Sequence, residues 1–290
     1  MLWIPLTLGA ATLQVARNAL QRGLLAPAGP WGATLVRFLF GLPFSVLFAA
    51  AAFILAPHAR ISFGGMFVID CVIGGGAQIA ATAAMLVSMR RSSFALGTVF
   101  QQIGIPLAAL VGLAFGDHLS GARWLGLCIV AGALAVLARP RGKTGDWTAA
   151  PLGLAAGLGF AVAANAYRQA ALTLAPAHPF LAAQVTLVCV QTLQSAALVA
   201  WLAFVDRPAL LAAVRPWRAS LGAGFFGAAA SSLWFSAFAL SPAGSVRAVG
   251  VVEAPIAALA GRRLFAERLA SWQWLAGLAA ALGVGLAALG

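Results

Sequence analysis

Four ionisable side chains that could bind a substrate or a proton lie well inside strongly apolar segments: Arg37, Asp70, Arg247 and Glu253. A charged group at the centre of a membrane-spanning helix costs about 3 kcal/mol, so each of the four should face a partner or a polar cavity. Glu253 lies nearest to the middle of its apolar segment. Pro255 follows it two residues later, and a proline inside a helix breaks or kinks the helix. Its carboxylate could bind a substrate amine or take up a proton that drives transport. The alternative is a structural ion pair with Arg37 or Arg247.

The other three charges each admit two interpretations. The guanidinium of Arg37 could hold a substrate carboxylate or phosphate through two parallel hydrogen bonds, or it could be structural. Arg247 lies about one turn into its apolar segment and could either face a cavity or extend to the membrane interface. Asp70 could act as a gate or as a structural partner.

Amide side chains recur along these apolar segments at helical spacing. Asp70, Gln78 and Thr82 fall on one face of a helix, and Gln184 and Gln191 fall on one face of another. Such faces favour a polar cavity, although hydrogen bonds between helices would use the same residues. An aromatic side chain in the same segments could stack on a substrate or pack in the core. The further candidates for lining a cavity are Asn18, Gln78, Gln101, Gln102, Gln184, Gln191 and Trp234.

Composition identifies the elements that must position these residues. The 290 residues are 62% hydrophobic and 8% charged, and the mean hydropathy is +0.97. This composition excludes a water-soluble enzyme and a disordered chain. The net charge of +12 comes from scattered residues, which predicts no nucleic-acid partner. A multi-pass membrane protein surrounded by lipid remains, with room for about ten helices of some 20 residues.

No catalytic or metal-binding set stands out. Three cysteines lie in apolar runs without metal-ligand spacing, and His58, His118 and His178 fall in predicted turns far apart in the sequence. We therefore predict no enzymatic activity, no metal and no cofactor. The N-terminal apolar stretch lacks a basic n-region and is interpreted as the first membrane helix.

Apolar runs and their interruptions predict an all-α integral membrane protein with ten transmembrane helices. The predicted helices cover residues 3–20, 31–55, 63–87, 93–115, 120–138, 151–171, 179–204, 218–240, 243–264 and 271–289.

An internal repeat divides the chain. Leu25 to Trp31 matches Leu174 to Phe180, and Pro106 to Leu110 matches Pro255 to Leu259, both 149 residues later. The predicted units are a first five-helix repeat at 1–138, a basic connecting loop at 139–150 and a second five-helix repeat at 151–290. Because five is odd, the second repeat enters the membrane in the opposite direction. Inverted repeats are a common plan of secondary transporters.

The repeated motifs resemble a known family. The pattern resembles that of EamA-type members of the drug/metabolite transporter superfamily, and it covers nearly the whole chain. The resemblance implies ten helices in two inverted repeats and export or exchange of small organic metabolites. In the first half, Asp117-His118 stands where the family usually has Gly-Glu, and no transport role is carried over to it or to Glu267. The motifs are Arg37-Phe38, Pro106, Phe115-Gly116-Asp117-His118-Leu119, Glu253-Ala254-Pro255, Phe265-Ala266-Glu267-Arg268-Leu269 and Trp274-Leu275-Ala276-Gly277.

The positive charges predict an orientation. Loops after odd-numbered helices carry 13 Lys and Arg residues, Arg17 among them, and loops after even-numbered helices carry three, Arg168 among them. The positive-inside rule places the odd loops in the cytoplasm, with both termini outside. The predicted location is the cell inner (plasma) membrane.

These observations predict a secondary transporter that exports or exchanges a small polar or amphipathic metabolite by alternating access. Its partners would be that small molecule, membrane lipids and, where transport is coupled to a proton gradient, protons, and it would be a monomer or a homodimer. The alternatives are a passive channel or exchanger and, with less support, an intramembrane enzyme acting on lipid-linked substrates.

Overall fold

The computed structural model describes residues 1–91, 104–114, 120–137 and 149–265, together with a few single positions between 272 and 286. All regular secondary structure in these residues is helical. The helices are α1 (Trp3–Leu39), α2 (Leu42–Leu55), α3 (Gly65–Arg91), α4 (Gly104–Ala114), α5 (Gly121–Leu137), α6 (Ala149–Leu174), α7 (Pro179–Val205), α8 (Arg207–Val214), α9 (Trp217–Leu240), α10 (Ala243–Val249) and α11 (Glu253–Phe265), with a 3₁₀ turn at Gly250–Val252.

Several helical stretches are long and apolar enough to cross a membrane: Trp3–Leu55, Gly65–Arg91, Pro179–Val205, Ser220–Leu240 and Ala243–Leu264. Their outer faces are apolar as well. On α3, for example, Val68, Ile69, Val72 and Ile73 are each about half exposed. An all-α protein with apolar side chains on the outside of long helices is suited to a lipid environment.

The predicted loop between residues 20 and 31 is instead helical. Helix α1 runs from Trp3 to Leu39 and bends at Gly29, which has φ 65° and ψ 178°. Pro30 explains the bend because a proline disfavours α geometry in the residue before it. Glycine adopts the resulting positive φ without a steric penalty. A kink therefore replaces the loop that the two prolines of this segment predict.

The predicted ninth helix, 243–264, is also broken. Helix α10 ends at Val249, a 3₁₀ turn follows, and α11 begins at Glu253. Pro255 cannot donate to the carbonyl of residue 251, and its ring crowds that carbonyl, which accounts for the break. Glu253 is consequently the first residue of a half-helix and not the middle of a continuous one.

The predicted second helix, 31–55, is interrupted at residues 40 and 41, between α1 and α2. The other boundaries lie within a few residues of the prediction where the structure describes them. Helix α8 is an addition, and its N-terminus is capped by Asp206, whose Oδ1 accepts from Ala209 N–H at 3.0 Å. At eight residues it is too short to stand out as an apolar run. Most of the predicted helices 93–115 and 271–289 lies outside the described residues.

Two extensive helix pairs form the centre of the molecule: α1 packs on α9, and α3 packs on α6. Small residues allow these close contacts. Gly159 of α6 lies against Ala77 and Ala81 of α3, and Gly227 of α9 lies against Arg37 of α1. The two pairs bring polar side chains from four helices to one place.

Candidate functional site

A cavity lies between α1, α3, α6, α9 and α10. The free volume inside it is about 30 Å³, which holds one or two water molecules, so a larger ligand would enter only after the surrounding helices move apart. We call it the central cavity. Its lining comprises Gln14, Arg37, Gln78, Phe160, Ala163, Ala164, Tyr167, Ser231, Trp234, Phe235, Phe238 and Arg247.

A chain of hydrogen bonds leads from the cavity to Glu253. The indole N–H of Trp234 donates to Oε1 of Gln14 at 2.9 Å, and Nε2 of Gln14 donates to Oε2 of Glu253 at 2.7 Å. Glu253 is fully buried. It stands one hydrogen bond behind the cavity wall, with Gln14 between the carboxylate and the cavity.

The second oxygen of Glu253 also accepts a hydrogen bond. Nδ2 of Asn18 donates to Oε1 at 3.2 Å, and Oδ1 of Asn18 in turn accepts from Nε and Nη2 of Arg17 at 3.1 and 2.6 Å. Glu253 also lies in the first turn of α11, where the helix dipole favours a negative charge. The two amide donors and the helix N-terminus therefore all favour a hydrogen-bond acceptor, such as this carboxylate, at the position of Glu253.

Arg247 borders the cavity between aromatic rings. Its Cζ lies 5.1 Å from the ring centre of Trp234 and 5.9 Å from that of Phe160. The side chain is only 6% exposed, which rules out the predicted alternative that it extends to the membrane interface. Among the described residues, its Nε and Nη2 have no hydrogen-bond partner.

Arg37 joins two helices across the cavity. Its Nη1 donates to Oγ1 of Thr82 on α3 at 3.1 Å, and its Nη2 donates to Oγ of Ser231 on α9 at 3.4 Å. Both of these partners are neutral hydroxyls, so neither of them compensates the positive charge of Arg37.

Tyr167 organises the other side of the cavity. Its hydroxyl lies 2.8 Å from the carbonyl oxygen of Gly74 and 3.0 Å from Oε1 of Gln78. The same Oε1 accepts from Nε2 of Gln194 at 2.9 Å. The tyrosine ring stacks on Phe235 with the ring centres 4.2 Å apart. This cluster fixes α3, α6 and α7 around the cavity.

The structure brings together some of the predicted site residues and separates others. Gln184 bonds to Ser236 and Gln191 accepts from Ser45, so both tie α7 to its neighbours. Asp70 is buried further along α3. Gln101 and Gln102 lie outside the described residues. The predicted residues that line the cavity are Arg37, Gln78, Trp234 and Arg247, and Asn18 and Glu253 lie directly behind it.

Sequence reasoning missed Tyr167 and Phe160 as site residues. Gln14 carried a visible signal, an amide in an apolar helix, but nothing in the sequence distinguishes Tyr167 and Phe160 from ordinary core residues.

Some of the arginines that the sequence analysis counts as loop residues lie within helices. Arg17 is one of them, because α1 continues through it and buries it completely. Arg168 also lies within a helix, α6, where it donates to the carbonyl of Phe238 at 3.0 Å.

The charges around the cavity are unequal. Three buried guanidinium groups, those of Arg17, Arg37 and Arg247, lie near one buried carboxylate, that of Glu253. Buried charges are normally paired, since their removal from water is costly. Within the described residues, this region therefore carries more positive than negative charge.

The described residues contain no group of three or more His, Cys, Asp and Glu side chains that could hold a metal ion. His58 and His178, distant in sequence, do meet with Arg60 at a separate pocket lined also by residues 175–177.

No family model and no curated protein matches this chain. Similar solved structures exist, 26 chains in all. One of them, titled only "Crystal structure of protein", has a TM-score of 0.63 and 15% sequence identity and covers 99% of this chain and 97% of that chain. At this identity the likeness shows a shared fold over the whole chain.

Proposed function

We propose that the protein is a secondary transporter that moves a small polar or amphipathic organic metabolite through the membrane by alternating access. The observation that carries the proposal is the central cavity. It is enclosed by long apolar helices, yet its wall holds two buried arginines and several hydrogen-bonding groups. A buried site of this kind among membrane helices is best explained by a polar molecule that passes through it.

The break before α11 supports the same proposal. Secondary transporters commonly bind substrates and ions at discontinuous helices, where half-helix ends contribute partial charges. Here the break lies beside Trp234 and Arg247, and Glu253 starts the second half-helix. We propose that Glu253, reached from the cavity through Gln14, is the group that couples transport to protons.

Reciprocal contacts support the proposed ten-helix inverted repeat. The third helix of each proposed half packs on the first helix of the other: α3 on α6, and α9 on α1. Asn18-Ala19 and Asn165-Ala166 also match in the sequence, 147 residues apart, and the two asparagines behave alike. Asn18 bonds across to Glu253 near the start of α11, and Asn165 bonds across to the carbonyl of Ala108 on α4.

Membership of the EamA-type transporters is part of the proposal and rests on the sequence motifs alone.

The proposed location is the inner membrane, with the basic loops in the cytoplasm and both termini outside. Leaving out the three basic residues that lie well inside helices, Arg17, Arg22 and Arg168, leaves eleven against two, so the predicted orientation is unchanged.

The experiment is a counterflow assay on purified protein in proteoliposomes. Vesicles loaded with an unlabelled amino acid, nucleoside, sugar phosphate or cationic drug are given the same labelled compound outside, with and without a pH gradient. We expect one class to show uptake stimulated by internal substrate, and Glu253→Gln to remove the effect of the pH gradient. Asp206→Asn, the same change at an exposed position, should behave as wild type. Uptake that internal substrate never stimulates would indicate a channel and overturn the proposal.

A further inference from the structure

One edge of the Arg247 guanidinium has no protein partner. Nε and Nη2 of Arg247 are buried, neither has a hydrogen-bond partner in the described part of the chain, and Arg247 lines the central cavity. Their N–H bonds lie side by side and point the same way. This edge is the one with which arginine binds both oxygens of a carboxylate.

In Arg17, the corresponding edge formed by Nε and Nη2 already has a protein partner. Its Nε and Nη2 both donate to Oδ1 of Asn18. The terminal nitrogens of Arg37 are likewise used, by Thr82 and Ser231. Of the three buried arginines near the cavity, Arg247 is therefore the one whose paired donors remain available to a ligand.

The rings beside Arg247 restrict the shape of that ligand. Trp234 and Phe160 lie near the guanidinium carbon, and the N–H bonds of the planar group point outward in its plane, so an acceptor that uses both donors approaches at the edge. The wall beyond is formed by Phe235, Phe238 and alanines. An anionic head at Arg247 and an apolar body against these side chains would use both parts of the cavity.

Charge gives an independent argument for an anion. The three buried arginines exceed the one buried carboxylate nearby, and a ligand carrying a negative charge would reduce this imbalance. A cation in the same place would increase it. The position of Glu253 agrees, because Gln14 and Asn18 already occupy both of its oxygens.

We infer that the central cavity binds a small organic carboxylate with an apolar body, and that Nε and Nη2 of Arg247 hold its carboxylate group. This inference rests on the proposed function and names the substrate class of the same site. A carboxylate uses both of its oxygens on a single two-donor edge; a phosphate can bind the same edge, but its remaining charged oxygens would face the apolar wall of Phe235 and Phe238.

The test measures binding to purified protein by thermal shift and by titration calorimetry. The probes are 3-phenylpropionate, its neutral amide and inorganic phosphate. We expect the acid to bind at least about tenfold more tightly than the amide, since a charge-assisted pair of hydrogen bonds is lost with the amide. Phosphate should give no stabilisation.

Variants assign the effect to the edge of Arg247. Arg247→Gln should weaken binding of the acid at least about tenfold, and Arg247→Lys, which keeps the charge but loses the paired donors, should weaken it as well. Arg215→Gln, the same change at an exposed position, should bind as wild type. Melting curves without ligand establish that each variant is folded, and Arg247→Lys serves if Arg247→Gln is not.

The outcomes separate this inference from the transport proposal. Equal binding of acid and amide, stabilisation by phosphate alone, no binding of the acid, or unchanged binding in both Arg247 variants would overturn the inference, whatever flux is seen. Arg247-dependent binding of the acid without any counterflow of it would support the carboxylate site and count against transport. Counterflow of neutral or cationic compounds, with the acid excluded, would support transport and overturn the inference.

Discussion

Thr82 and Ser231 accept hydrogen bonds from opposite terminal nitrogens of the same guanidinium, that of Arg37, at 3.1 and 3.4 Å. The two hydroxyls lie 149 residues apart, the offset of the internal repeat. They come from the third helix of each proposed half. Arg37 therefore lies between equivalent positions of the two proposed halves and connects their third helices through its charged group.

The two hydroxyls should make similar contributions to stability. We predict that Thr82→Ala and Ser231→Ala each lower the free energy of unfolding by about 1 kcal/mol, because each leaves one buried guanidinium nitrogen without a partner. Chemical denaturation in detergent measures the change. Thr192→Ala is the control, since that hydroxyl is exposed and bonds only within its own helix. Loss of stability in the control alone would contradict the bridging role of Arg37.

Replacing Glu253 by glutamine should destabilise the protein. Both carboxylate oxygens accept from amide donors, so the new NH₂ group must face a donor, either Nε2 of Gln14 or Nδ2 of Asn18. We predict a loss of about 1–3 kcal/mol. The exposed helix cap Asp206 provides the matched control, because asparagine caps as well as aspartate. A Glu253→Gln variant as stable as wild type would mean that these bonds do not constrain the carboxylate.

The 3₁₀ turn leaves no room for a side chain beside the indole of Trp234. A Cβ at Gly250 would lie 2.5 Å from Cη2 of Trp234. We predict that Gly250→Ala displaces the indole, weakens its bond to Gln14 and costs about 1–3 kcal/mol. Gly76→Ala, at a helical position with nothing within 4 Å, should be neutral or slightly stabilising. Denaturation of both variants checks the contrast, and equal stabilities would show that the indole can move without cost.

The kink of α1 should depend on its glycine. Gly29 combines φ 65° with ψ 178°, a conformation essentially confined to glycine. We predict that Gly29→Ala lowers the free energy of unfolding by about 1–3 kcal/mol. Gly23→Ala lies in the same helix, again with nothing within 4 Å, and should raise stability slightly. The opposite signs are the diagnostic result. Stabilisation by both substitutions would show that the bend does not need the left-handed region.

Composition and apolar runs were enough to predict an all-α architecture and most helix positions. They failed where backbone chemistry overrides hydropathy. Pro30 and Gly29 bend α1 without ending it, and Pro255 divides a segment that hydropathy reads as one helix. An apolar run shows that a segment can be helical, but the local effect of a proline depends on whether its neighbours can adopt another geometry.

The lining of the cavity was predictable only in part. A charge or amide in an apolar helix is visible in sequence, which is why Arg37, Gln78 and Arg247, which line the cavity, are among the predicted residues. Tyr167 could not be found in this way, because its role depends on Gln78, a residue of another helix. The separation of Gln191 from the cavity has the same cause, since its helical face is directed at Ser45 and not at the cavity.

Access to the central cavity from both sides of the membrane is the most direct test of alternating access, and it needs no knowledge of the substrate. Ala164 lines the cavity and is 2% exposed. Ala164→Cys would be made in a variant with Cys71, Cys128 and Cys189 replaced, and treated with a membrane-impermeant thiol reagent from either side of oriented vesicles. We predict labelling from both sides. Labelling from one side only, under every condition, would contradict the account.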